Sequence, residues 1–217
     1  ATIAQAVGPR YAGAIAEQLN SKDKALSLAF ASAGDKTTAG RFTSELILKG
    51  AQAIKDGTAM KDDKKVTGWK ATIAQQIDGA LPDDRAATAV KESAYFIAAG
   101  IAAENGGSVS TDDIARSVRL AVGGSIIERN GKKLPIPAQM SADDFESRIK
   151  AVSPADIIKQ APEGKVRVAG AEIPAAEFAT SIPGQELIYA GPGRYAVVVR
   201  GRPVTNAGGR PIILEVR

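Results

Sequence analysis

A few groups of residues in this chain have types and spacings that could do chemistry. Glu92-Ser93 sets a carboxyl beside a hydroxyl, and one carboxyl can act as general acid and base on a glycan if burial raises its pKa. The doublets Asp83-Asp84, Asp112-Asp113 and Asp143-Asp144 have the makings of divalent-cation ligands or of an acid and base pair. "GPGRY", Gly191 to Tyr195, and the pair Gly123-Gly124 carry glycines of the kind that cradle phosphate. Arg194, Arg200, Arg202, Arg210 and Arg217, with Tyr189 and Tyr195 among them, could contact nucleic acid or an acidic partner.

The elements around these groups favour plainer roles. All three aspartate doublets fall where helices start, and a helix N-terminus stabilises an anionic side chain by roughly 0.3–1 kcal/mol, so capping is expected. A phosphate loop follows a strand and opens a helix. "GPGRY" instead has a strand on each side and reads as a hairpin turn, while Gly123-Gly124 ends a helix. The arginines fit outward strand positions charged against edge pairing. Arg194, Tyr195, Arg200, Arg202 and Arg210 stay as candidate partner-contact residues. Glu92 is the one candidate catalytic residue; no cofactor-binding or metal-ligating residue stands out, and no cofactor is expected.

Composition narrows the field. The 217 residues include no cysteine and no histidine, which excludes disulfides, Cys/His zinc sites, thiol nucleophiles and Ser-His-Asp triads. An enzyme built on this chain would work with carboxylates, Lys, Tyr or Ser. Net charge is +4 with no long basic run, a mild bias toward anionic partners. Aromatic residues are only 5%, so Ala, Ile, Leu and Val must build the core, and small side chains suit close helix packing. No apolar run reaches the roughly 18–20 residues of a membrane span. No charged segment followed by an apolar core marks a signal peptide at the start, and the start at Ala1 fits a piece of a longer polypeptide.

Apolar periodicity predicts helices from Pro9 through Leu19, from Ser21 to Gly34 (with Leu26, Leu28 and Phe30), and over Thr38–Asp56 with Phe42, Leu46, Ile47 and Ile54. "KDDKKVTG", Lys61 to Gly68, reads as a polar connector. Further helices follow over Trp69–Ile77, over Asp83–Glu104 with a stripe of Val90, Ala94, Ile97 and Ile101, and from Thr111 to Gly123 with Ile114, Val118 and Val122. After Gly124 the style changes. "SIIERNGKKLPI" is a hairpin about Asn130-Gly131. Short helices carry Phe145 and Ile149, then Ile157 and Ile158. From Lys165 the strands "KVRV", "ELIY", "RYAVVV" and "RPIILEV" dominate, with one short helix over Pro174–Thr180. The expected fold class is α+β: a helical domain over 1–124 and a mixed, β-rich domain with hairpins over 125–217.

"RLAVGGSIIERNGKKLPIPAQMSADDFESRIKAVSPADI" resembles a stretch near the C-terminal end of large phage and prophage virion proteins of the internal or ejection kind. There a helix ending in Gly-Gly leads to an Asn-Gly-(Arg/Lys)-Lys turn, a Pro-containing segment and a short helix with Phe. "GPGRYAVVVRGRPVTNAGGRPIILEVR" is similar to their close, and "LSLAFASAGD" and "GALPDDRAATAVKESAYFIAAG" share the texture of their helical half. Some of these proteins carry a lytic transglycosylase domain elsewhere. Such transglycosylases have a Glu-Ser pair on a helix, but their downstream Gly-Leu-Met-Gln stretch is absent here.

The resemblance implies a non-catalytic structural or assembly module of a virion protein, packed against other virion proteins or the rest of a larger polypeptide. It would sit in a virion or, encoded by a prophage, in the bacterial cytoplasm. Two alternatives remain open: a peptidoglycan-cleaving carboxylate enzyme centred on Glu92, and a nucleic-acid-binding module using the C-terminal arginines.

Overall fold

The computed structural model describes residues 28–29, 38–59, 63–82 and 84–216, and the architecture is α+β. The helices expected before residue 35 lie outside the described residues, apart from helical Leu28 and Ala29. The chain divides into two compact units, one of 1–77 with 88–122, the other of 78–87 with 123–217. The main break falls at Val122/Gly123, where Gly123 takes φ 71 and ends a helix in the left-handed region that glycine enters without penalty. Residues 78–87 were expected in the helical domain and instead group with the second unit.

The first unit is helical, with α1 over Thr38–Lys55, α2 over Asp63–Ile77, α3 over Asp84–Glu104 (from Thr88 onward in this unit) and α4 over Thr111–Val122. The polar run expected as a connector is helical from Asp63 onward. Charged residues such as Lys propagate a helix well when solvent surrounds them, so polarity alone does not make a loop. Leu46 and Ile47 of α1 meet Ile97 and Ile101 of α3 in a core that Phe96 and Leu120 flank. Ile73 and Ile77 of α2 are buried, as are Ile114, Val118 and Val122 of α4. Phe42, expected inside, is 38% exposed, its ring facing the Arg116 guanidinium at 5.7 Å.

Contact between α1 and α3 is set by two glycines. A Cβ on Gly50 would stand 1.8 Å from the Phe96 carbonyl oxygen, and one on Gly100 would stand 2.5 Å from that of Leu46. The two backbones therefore touch where neither residue has a side chain.

In the second unit β1 (Gly124–Arg129) and β2 (Lys132–Pro137) form the expected hairpin, with Arg129 opposite Lys132. Helices α5 (Ala142–Lys150) and α6 (Pro154–Ile158) follow, then β3 (Lys165–Val168), β4 (Ala171–Pro174), α7 (Ala175–Ser181) and a 3-10 turn over Ile182–Gly184. The sheet after them has β5 (Glu186–Gly191), β6 (Arg194–Val199), β7 (Arg202–Pro203) and β8 (Ile213–Glu215). β5 lines one side of β6. The other side is shared, β7 pairing with Val198 and Val199 and β8 with Arg194 to Ala196. The excursion between β7 and β8 crosses to β3, where Thr205 pairs with Arg167.

Three hairpins of this unit turn on two residues with positive φ: Asn130-Gly131 (52° and 73°), Ala169-Gly170 (50° and 96°) and Arg200-Gly201 (51° and 74°). These are type I′ turns, whose twist matches that of the strands they join. The core beneath them packs Phe145, Ile149, Ile157, Val166, Ile182, Val197 and Ile212 around Tyr195, and the Phe145 and Tyr195 rings meet edge to face at 5.0 Å.

Candidate functional site

The residues singled out for chemistry are not brought together. Glu92 stands half-buried within α3, is not free of interactions, and neighbours the buried Ser93. At the described helix starts, the second aspartate of two doublets, Asp113 and Asp144, partners a serine cap. The Ser110 amide and hydroxyl both donate to the Asp113 carboxylate at 3.0 and 2.8 Å, and the Asp113 amide donates back to Ser110 Oγ. Ser141 and Asp144 repeat this reciprocal box, and the Ser153 amide and hydroxyl donate to Asp156. The spacing Ser-x-x-Asp thus opens α4 and α5 with a reciprocal box, whereas at α6 only the serine-to-aspartate half is made and the Asp156 amide donates to the Ser153 carbonyl at 3.1 Å. The serine hydrogen bonds hold all three carboxyls below the usual aspartate range: the amide bond leads at Asp113, the hydroxyl bond at Asp144 and Asp156. Asp84 lies in the first turn of α3; Asp83 and Arg217 lie outside the described residues.

"GPGRY" is a turn between β5 and β6. A Cβ on Gly193 would come within 2.7 Å of the Val216 carbonyl oxygen, and the Val216 amide donates to the Gly193 carbonyl at 2.8 Å. The close approach that glycine permits here is made by the chain itself.

Tyr195 is corrected outright as a contact residue. It is 0% exposed, its hydroxyl donates to the Pro135 carbonyl at 2.9 Å, and burial pushes its pKa up. Strand alternation explains the difference: Tyr195 and Val197 share the face of β6 that meets the core. Arg194, Arg200, Arg202 and Arg210 are exposed, and none of their guanidinium groups has an ion-pair partner among the described residues. They are not one cluster. Arg194 begins β6 and Arg200 follows its end, roughly 20 Å apart at the rise of a strand.

No protein-family model, characterised protein or solved structure matches this chain. What it can do has to be read from its own surface.

Sequence reasoning missed three features here. Arg129 is 8% exposed. Its Nε donates to Glu146 at 2.7 Å, its Nη1 to the Gln185 carbonyl at 2.6 Å and its Nη2 to the Pro183 carbonyl at 2.7 Å. The planar fork of a guanidinium suits three such acceptors, and the group clasps β1 to α5 and to the turn before β5. Gln160 offers its side-chain amide to both backbone groups of Ile213, donating to the carbonyl and accepting from the amide, each at 2.8 Å. It covers the free side of β8 as a neighbouring strand would.

The third feature is a groove of 350 Å³ lined by Val168, Ile173 and Val199 of the strands, by Glu177, Phe178, Thr180 and Ser181 of α7, and by Gln185. Its residues come from β3, β4, β6, α7 and the turn after it, a convergence that no local spacing in the sequence announces.

Among the described residues, no group of three or more Asp or Glu side chains could hold a metal ion, and no helix is long and apolar enough to cross a membrane.

Proposed function

We propose that this chain is a non-catalytic assembly module of a phage or prophage virion protein, packed against other virion proteins or the rest of a longer polypeptide. Its place is then the virion, or the cytoplasm of a bacterium that carries the prophage. One observation carries the non-catalytic part: several groups suited to chemistry are already engaged by other groups of the fold. Asp113 and Asp144 hold serine caps, the Tyr195 hydroxyl binds Pro135, and the buried arginine binds Glu146 and two carbonyls. The virion part rests on the resemblance of the Arg119–Ile157 stretch and of the C-terminal strands.

Two experiments test this. Purified protein incubated with peptidoglycan sacculi is expected to release no soluble fragments; release that Glu92→Gln abolishes would overturn the proposal in favour of the carboxylate enzyme. Particles induced from a strain encoding the chain, purified on a density gradient, are expected to contain its peptides by mass spectrometry. Their absence from the particles would remove the virion assignment.

Nucleic-acid binding has one observation in its favour: no acidic residue stands between Glu186 and Glu215, a span holding Arg194, Arg200, Arg202 and Arg210. The scatter of these arginines along β6 and beyond favours the assembly reading, and a mobility-shift titration across salt separates the two, because phosphate contacts weaken as salt rises.

A further inference from the structure

The groove in the second unit has a composition that points to a particular kind of occupant. Its floor is apolar, from Val168, Ile173, Phe178 and Val199. Val199 stands directly opposite Arg202 in the β6–β7 pair. Residues so paired project their side chains to the same face, with Cβ atoms about 4.5–5.5 Å apart, so the Arg202 side chain, though not itself in the lining, leaves the backbone beside Val199 and within reach of the floor's edge. Arg202 is exposed and without an ion-pair partner among the described residues. A second charge, of opposite sign, lines the groove at Glu177, and no ion pair joins it to Arg202. The Gln185 side-chain amide is likewise without a hydrogen-bond partner among the described residues; only its backbone is engaged, by Arg129 and Ile182.

We infer that this groove docks a segment of a partner protein: an apolar side chain seated on the valine, isoleucine and phenylalanine floor, with an acidic residue on one flank meeting Arg202 and a basic residue on the other meeting Glu177. The Gln185 amide is placed to bind the segment's backbone, as it can donate and accept at once. A groove of this volume, at the small end of binding sites, takes one or two side chains rather than a domain. Glu177 argues against a polyanion, because a phosphate chain on this floor would bring negative charge against a carboxylate. The inference deepens the assembly reading and rests on it, by saying where on the second unit a partner is held and by what chemistry.

The test uses the full chain with isotope-labelled methyl groups and blocked synthetic peptides. The probe Ac-Gly-Asp-Leu-Leu-Lys-Gly-NH2 is expected to shift the methyl signals of Val168, Ile173 and Val199. Replacing its Asp by Ser, or Arg202 of the protein by Glu, is expected to weaken binding about fivefold, as for an exposed ion pair. Glu177→Lys is expected to weaken it similarly through the other flank, and gives an independent reading should Arg202→Glu disturb the hairpin. The methyl dispersion of each variant reports that the fold is kept. Absence of shifts at about millimolar peptide, equal affinity for wild type and both variants, or stronger shifts of the same methyls by single-stranded DNA would each overturn the inference. Particles that contain the chain while no peptide moves these methyls would sink the groove alone, whereas release of peptidoglycan fragments would sink the assembly reading itself.

Discussion

The two units hold their elements together by opposite means. In the first, α1 and α3 meet where atoms are missing: Gly50 and Gly100 let one backbone rest on the other, and the flanking core is small and aliphatic. In the second, long polar side chains reach between elements to named backbone atoms: Arg129 to Pro183 and Gln185, Gln160 to Ile213, Tyr195 to Pro135, and Asn206 Nδ2 to the Gln160 carbonyl. Specificity is steric in one unit and directional in the other. Adding an atom should therefore harm the first unit, and deleting a donor should harm the second.

The largest effect is expected at Arg129. Replacing it by Met keeps much of the volume but leaves Glu146 and two carbonyls without their donor. Breaking a buried ion pair by removing one partner costs about 3–5 kcal/mol. The lower end is expected, since the Glu146 side chain is 34% exposed and water can partly replace the guanidinium there. Urea unfolding followed by the near-ultraviolet signal of the buried tyrosine checks this. A loss below about 1 kcal/mol, the worth of an ordinary hydrogen bond, would show that the clasp is not what orders the second unit. Arg129→Lys is expected to recover little, because an ammonium cannot present the same fork.

Next comes one substitution made at two glycines of the first unit. Gly68 lies in α2, exposed and with nothing within 4 Å of an added Cβ. Gly68→Ala is expected to stabilise by about 0.5–1 kcal/mol through helix propensity alone. Gly50→Ala gains the same propensity term, but its methyl would overlap the Phe96 carbonyl. Overpacking of this kind costs about 1–3 kcal/mol, sometimes more, so the net is a loss. Trp69, the single tryptophan and a buried one in this unit, gives the fluorescence signal for both unfolding curves. Equal shifts for the two variants would refute the claim that the helices meet backbone to backbone.

The serine–aspartate caps occur in both units and so bear on the comparison through pH. Their carboxyls have lowered folded-state pKa values, so the unfolded chain binds more protons and stability rises with pH across that interval. The contribution is complete above the ordinary aspartate value of about 3.9 and is lost as pH falls through the lower folded-state values. Ser110→Ala in the first unit is expected to cost about 1 kcal/mol near neutral pH, with the gap to wild type narrowing as acid protonates Asp113. A gap that stays constant down to the acid limit would mean that the serine acts without its carboxylate partner.

These contrasts also mark how far the sequence could be read. The helix stripes of the first unit were legible because Ile97 and Ile101, or Ile114, Val118 and Val122, repeat at helical spacing. The starts of α4 and α5 were legible because an aspartate doublet stands in the first turn of each. Phe42 misled because a long apolar residue on the right stripe can still end at a helix edge. Arg129 and Gln160 gave no local sign, since their partners lie 17 to 56 residues away. Tyr195 looked like a contact residue because its arginine neighbours were read together with it, while strand alternation turns every second side chain inward. The groove was out of reach for the same reason as the arginine clasp: residues from β3, β4, α7 and β6 meet only after the sheet has formed.

The smallest predicted effect tests the directional unit at its turns. Asn130-Gly131 announced its hairpin, whereas Ala169-Gly170 did not, yet both turns have the same backbone signs. A left-handed conformation costs an ordinary L-residue roughly 1–2 kcal/mol, and Asn less because its side chain can bond locally. Ala169 therefore carries a penalty that the β3–β4 pairing and the Arg167–Thr205 bridge must offset. Ala169→Asn, which recreates the favoured Asn-Gly pair, is expected to stabilise the second unit by about 0.5–1 kcal/mol. Asn130→Ala should lose a similar amount, and a double variant should return close to wild type, because turns this far apart in the chain and without shared partners add. If Ala169→Asn were neutral while Asn130→Ala was costly, the β3–β4 turn would be fixed by the strands it joins, and directional bonding in this unit would reach down to its hairpins.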